Sequence, residues 1–315
     1  MPYQVNSHSN GNAAYNIAGS AFGDGGVFDF SDNAFMTLAM ESTSDAKGGN
    51  GGGKPGGGGS GGGSTTPTYT HISGSDNGTG YNIEIQFMGD AWTPELMASF
   101  ISSSDFLSAV ISGDRPDYIA ADDSNNFFSQ DIDDILIIAS LVNIDGAGGV
   151  LGRAGPTHLI YDQASGDTSS DALPLAAIME FDIADAETYL AAGTWGDIVF
   201  HEMMHTLGFG TLWESTGVVD LIIDDNGTKR PIDDTYTYNY TGAFATYANG
   251  GTAPQVETDG GSGTAGGHWD ELTYDNELMI GYIDDPNYLD QMSLASLGDL
   301  GYEINWLAVE YTALA

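Results

Sequence analysis

The run His201-Glu202-Met203-Met204-His205-Thr206-Leu207-Gly208-Phe209-Gly210 constrains this chain more than any other stretch. Two histidines four residues apart on a helix lie one above the other on the same face. Both imidazoles can then reach one zinc ion, with Glu202 beside them as general base for a zinc-activated water. The flanks predict a helix. Thr194 is a candidate N-cap with Asp197 at capping-box spacing. Ile198, Val199, Met203 and Leu207 supply an apolar face, and Gly208 suits the left-handed exit. The alternative is a pair of surface histidines on an acidic helix.

A catalytic zinc site uses three protein ligands and an open position. The other histidines are His8, His71, His158 and His268. A compact third ligand would fall at position 211, which is Thr211. His268, in Gly266-Gly267-His268-Trp269-Asp270-Glu271, is the best remaining candidate, because small residues permit close backbone approach. A competing gluzincin-type site would use Glu271 or Glu277 instead. His71 and His158 read as ordinary surface or strand histidines.

The segments HEMMHTLGFG, GTAGGHWDELTYDNELMIG and MSLASLGDLGYEIN together resemble the leishmanolysin-type metzincins. In that family a long insertion separates the helix glycine from a third histidine, and a methionine turn follows. The resemblance implies zinc ligands His201, His205 and His268, general base Glu202, and Met279 beneath the metal. The Gly210-Thr211-Leu212-Trp213 run resembles bacterial relatives. The chain departs from the protozoan members in having no cysteine. That removes both their disulfides and a cysteine-based latency.

The implied fold is α+β: a mixed twisted sheet, a zinc-binding active-site helix and a loop-rich C-terminal subdomain. Residues 1–66 read as a disordered, low-complexity segment, with a glycine-rich linker at 47–64. The catalytic domain spans 67–315, divided into 67–208 and 209–315. A period-two strand is predicted at 81–87. Thr93, Pro94 and Glu95 open a helix reaching about Ser112. Further strands are predicted at 118–121, 135–144, 157–161 and 177–182, and a short capped helix at 293–300. The 209–267 stretch reads as loops. The strand near 177–181 is expected to be a sheet edge that holds a peptide extended.

The formal net charge is −39, with only six Lys and Arg. Such a chain will not bind nucleic acid or an anionic membrane by charge. No apolar run reaches transmembrane length, and no standard signal peptide is visible. The reading is a monomeric zinc endopeptidase acting on proteins or peptides, exported to the extracellular space without a standard signal peptide. Calcium is a second candidate cofactor, through acid clusters such as residues 131–134, although solvated acidic surface is the simpler account. A non-enzymatic reading is an acidic, calcium-dependent surface or adhesion module with a decayed zinc site. The intact Glu202 argues against decay.

Overall fold

The computed structural model describes residues 25–29, 36–40, 66–74, 79–122, 127–162, 171–227, 235–261 and 263–312. The strands in chain order are β1 (Gly25–Asp29), β2 (Met36–Met40), β3 (Tyr69–Ile72), β4 (Ile83–Met88), β5 (Ile135–Val142), β6 (Val150–Asp162) and β7 (Leu173–Asp182). They are followed by β8 (Val219–Asp224), β9 (Thr235–Tyr240) and β10 (Tyr282–Ile283). The helices are α1 (Pro94–Val110), α2 (Ile183–Ala192), α3 (Trp195–Thr206), α4 (Trp213–Thr216), α5 (Ala243–Ala248), α6 (Glu271–Tyr274), α7 (Gln291–Leu300) and α8 (Trp306–Thr312). The main sheet runs β10-β2-β6-β7-β5-β4-β3, with β1 also paired to β6. Strands β4, β5 and β7 are parallel, while β6 runs antiparallel to β7. The expected mixed α+β architecture is therefore present.

Local chemistry accounts for the scaffold. The side chain of Thr93 accepts from the Leu96 amide at 3.3 Å, and Pro94 occupies the first turn of α1. Leu96, Phe100, Leu107 and Val110 bury one face of that helix. β5 reads Ile-Leu-Ile-Ile-Ala-Ser-Leu-Val, the apolar run of a central parallel strand covered on both faces. Asp182 ends β7 and caps α2. It accepts from the amides of Ala184, Ile144, Asp145 and Gly146 at 2.8–2.9 Å. These four donors outweigh burial and hold its carboxyl below the usual range. Between sheet and helices, Phe87, Trp92, Phe100, Phe181 and Trp195 pack mostly edge-to-face. The Trp195 indole donates to the Leu96 carbonyl at 3.1 Å, tying α3 to α1.

Four sequence expectations need correction. The strand at 177–182 is not an edge: β7 pairs with β5 on one side and β6 on the other. Its near-continuous apolar sequence is that of an interior strand. Residues 118–121 form only a bridge from Tyr118 to Ile132 and a short 3-10 turn, with Asp131 accepting the Ala120 amide at 2.8 Å. Residues 1–66 are not wholly unstructured, because β1 and β2 pair along β6. Met36 to Met40 has strand alternation, but its partner lies more than a hundred residues away, so no local signal marks it. The 209–267 stretch carries α4, α5 and the β8–β9 hairpin among its loops. The glycine-rich run at 47–64 falls outside the described residues.

Candidate metal centre

Helix α3 lies under the sheet, packed against β6 and β7 and also against β2. Its apolar face of Ile198, Val199, Met203 and Leu207 is fully buried, as the spacing predicts. The helix start is different. Thr194 adopts a helical backbone and makes no side-chain cap. Trp195, anchored in the core, fixes the first turn instead. Asp197 does not cap either; it accepts from the Asn287 side-chain amide at 3.0 Å, linking the helix to the segment after β10. At the other end Gly208 has φ +100° and turns the chain out. Thr211, the residue at the compact ligand position, donates from its hydroxyl to the His205 carbonyl at 3.0 Å and so closes the helix.

His201, His205 and His268 are each completely buried and form one group able to hold a metal ion. Their Nε2 atoms lie 2.9 Å (201 to 205), 3.1 Å (201 to 268) and 3.1 Å (205 to 268) apart. Every Nδ1 faces a backbone carbonyl: His201 to Leu278 at 2.7 Å, His205 to Phe209 at 2.9 Å and His268 to Thr264 at 2.9 Å. A carbonyl only accepts, so each Nδ1 carries the hydrogen and each Nε2 presents a bare lone pair. Three lone pairs pointed at one spot repel unless a cation sits between them. Their spacing is close to the ~3.3 Å that zinc–nitrogen bonds of about 2.05 Å require at tetrahedral angles. The donor set therefore fits zinc, and the carbonyls supply the outer partners that fix tautomer and ring plane.

The electrostatics agree. Burial, then the neighbouring His268, drives the His201 pKa down to about 3. Burial drives His268 down to about 4, opposed by the Thr264 carbonyl and Glu257. His205 is held well below the ordinary value by burial and by both other histidines. All three stay neutral, the form that binds metal, at neutral and mildly acidic pH.

Glu202 is completely buried, on α3 next to His201. Strand β6 passes directly over it. A Cβ at Gly152 would lie 2.9 Å from Glu202 Oε1 and 3.0 Å from a Phe181 ring carbon, so a side chain there would push Glu202 out of place. Sequence reasoning missed Gly152, although a glycine inside a strand marks close approach. A second glycine contact seats the third histidine. A Cβ at Gly210 would fall 2.0 Å from the Gly267 carbonyl oxygen, so the helix exit and the His268 loop meet backbone to backbone.

The loop is organised by two buried carboxylates. Glu257 accepts from the amides of Thr258, Asp259 and Glu271 at 2.7, 2.9 and 3.2 Å. Glu277 accepts from the Met279 and Asp290 amides at 2.6 and 3.0 Å and from the Ser293 hydroxyl at 2.6 Å. Ser293 in turn accepts from the Trp269 indole at 2.8 Å. Glu277 is thus committed to two backbone amides and the Ser293 hydroxyl, and neither it nor Glu271 belongs to the histidine group. Met279 is buried, and its carbonyl accepts from the Trp269 amide at 3.0 Å.

The remaining candidates lie apart. His71 sits 3.2 Å from Asp105, and His158 packs on Phe127 and Phe128. Among the described residues, one acidic group gathers: Asp114, Asp133 and Asp134. Asp134 accepts from the Asn82 and Arg115 amides at 2.7 and 2.6 Å, which accounts for it as a structural carboxylate. No helix among the described residues is long and apolar enough to cross a membrane.

No curated protein matches the chain. The leishmanolysin family model matches residues 163–314, a span that contains α3, all three clustered histidines and the segment through α7. Leishmanolysins of this peptidase family use zinc, and the histidine group is compatible with it. That match and that geometry support a leishmanolysin-like metallopeptidase.

Proposed function

We propose that the chain is a zinc endopeptidase in which His201, His205 and His268 hold the metal and Glu202 is the general base. The observation that carries this reading is the convergence of three bare Nε2 atoms beside a buried glutamate on the same helix. Zinc, when bound, polarises the scissile carbonyl and acidifies a water. Glu202 accepts that water's proton on its carboxylate and returns it to the departing amine nitrogen. The His201 and His205 rings cannot swing away, because their Nδ1 hydrogens are tied to the Leu278 and Phe209 carbonyls.

The strand offered to a substrate is β6, which crosses Glu202 at Gly152. Its side away from β7, held by β1 and β2 in this structure, would give an extended peptide a ladder to join once they leave, which suits protein substrates without demanding particular side chains. An extracellular or surface location accords with leishmanolysin-like proteases generally.

Glu202→Gln tests the base. The amide cannot take a proton, so peptide hydrolysis should fall by about 10²–10⁴-fold. Zinc content and thermal stability should stay near the parent values. Casein hydrolysis by the variant at close to the parent rate would overturn the mechanism.

A further inference from the structure

The strand that runs over the metal centre has its outer side covered by the chain's own N-terminal residues. Antiparallel pairing matches Gly25–Asp29 with residues 162–158 of β6, and Met36–Ala39 with residues 154–150. Leu38 is the register partner of Gly152, the glycine that touches Glu202. On its other side β2 pairs in parallel with β10, at Tyr282 with Ala39 and Ile283 with Met40. β10 directly follows the Met279 turn, and α3 packs beneath β2. Residues 36–40 therefore lie between the strand above Glu202 and the segment after the methionine turn, over the helix that carries two of the histidines. A peptide joining β6 at Gly152 needs that lane.

We propose that β1 and β2 are a built-in occupant of the peptide lane, which keeps the metal centre closed to other peptides until they leave. This rests on the zinc-peptidase reading of the site. The device needs no cysteine, and the chain has none. It works through backbone pairing, so its strength comes from ladder hydrogen bonds rather than from a ligand to the metal. Release is topologically simple. The 25 residues from 41 to 65, rich in glycine, can reach up to about 80 Å. The segment can leave β6 while the domain from residue 66 onward keeps its connectivity. Of the lane's other walls, β6 keeps its own partner in β7, and β10 pairs among the described strands with β2.

The test uses the full chain. Successive amides of a strand point to alternate sides, so replacing both Thr37 and Leu38 by proline removes a donor toward β6 whichever of the two faces it. A control pair, Thr43→Pro with Ser44→Pro, lies beyond β2. Amide hydrogen exchange at residues 150–154 reports the lane without reference to activity. Cleavage of a quenched fluorescent peptide, with zinc content measured in parallel, reports latency. The Thr37/Leu38 variant should speed exchange at 150–154, leave 135–142 unchanged, and raise cleavage by about tenfold or more. Tenfold is the factor for a lane open about a tenth of the time in the parent. A synthetic peptide of residues 25–40 should restore both protection and inhibition in the variant, and the control pair should change neither. Unchanged exchange at 150–154 overturns the proposal. So does faster exchange with unchanged cleavage, because an opened lane would then have gated nothing. Zinc-loaded protein that cleaves nothing in any form, while exchange at 150–154 responds as described, refutes the peptidase reading and upholds the pairing.

Discussion

His201 and His205 owe their positions to a helix, and His268 owes its position to a loop. On α3 the two imidazoles are set by a repeating backbone ladder and by an apolar face that is entirely buried. No single contact decides where they point. The described residues of 257–281 contain one short helix, α6, and the loop is held by a small number of long-range bonds. The Glu257 amide donates to the His268 carbonyl at 3.0 Å, the Gly266 amide to the Glu257 carbonyl at 2.9 Å, and the Trp269 amide to the Met279 carbonyl at 3.0 Å. Glu257 and Glu277 gather further amides that no ladder satisfies. A helix spreads the task of positioning over many equivalent bonds. A loop concentrates it in a few buried acceptors, where each loss leaves a buried donor unpaired.

The largest effect is expected at the proposed loop ligand. His268→Ala removes one of three nitrogens and should weaken zinc binding by more than the roughly 10–100-fold typical of losing an outer partner. Activity should disappear with it. Zinc titration of the purified variant checks this. Retention of stoichiometric zinc together with peptide cleavage would mean that the loop supplies no ligand, and the contrast between helix and loop would lose its functional meaning.

Glu277→Gln asks whether the loop depends on its carboxylate. A glutamine offers one acceptor oxygen where Glu277 uses two, so one buried donor goes unpaired, at a cost of about 1–3 kcal/mol. Zinc affinity should fall as well, because the Leu278 carbonyl next to Glu277 fixes the His201 ring. The effect should also vary with pH. Burial raises the Glu277 pKa to about 7 against its three hydrogen bonds. The unfolded chain therefore releases this proton at lower pH than the folded one. The stability of the parent relative to the glutamine variant should fall as pH rises from about 4.5 through about 7, and then level off. Denaturant curves for both proteins at pH 5 and pH 8 measure this. A stability difference that grows with pH would reverse the assignment.

A matched change on the helix side should matter less. Thr211→Val removes the hydroxyl that closes α3 on the His205 carbonyl. The remaining helix bonds hold both histidines, so the cost should be about 0.5–1.5 kcal/mol, with zinc affinity unchanged. A zinc loss as large as that of Glu277→Gln would erase the distinction between the two kinds of support.

The same contrast explains what could be read from sequence. Helix α3, the Thr93–Pro94 start of α1 and strand β4 follow from periodicity and caps, which are local properties. His268 emerged from residue chemistry and spacing rather than from periodicity. Thr194 has capping chemistry but a helical backbone, because the packing of Trp195 sets the helix start. Helix α2 went unread because its N-cap, Asp182, also ends a strand. The interior position of β7 and the pairing of β1 and β2 on β6 are register facts between distant segments. Alternation within a strand says which face is buried and nothing about which strand lies alongside. Gly152 is legible only once its neighbour Glu202 is known.

The smallest expected effect separates the two ligand readings most cleanly. Glu271 lies at the start of α6, and its amide donates to Glu257 at 3.2 Å, a bond that alanine keeps. Glu271→Ala removes a half-buried acidic side chain from a helix first turn, worth about 0.3–1 kcal/mol. The His268 loop retains every backbone bond described above, and the histidine group does not include Glu271. Zinc affinity should therefore stay within about twofold of the parent, a change below ~0.5 kcal/mol. Competition with a metallochromic chelator resolves a difference of that size. If Glu271→Ala lost its zinc while His268→Ala kept it, the third ligand would be a carboxylate. Glu271 would then have to turn toward His201 and His205, and the convergence of three imidazoles would be a packing arrangement with no part in metal binding.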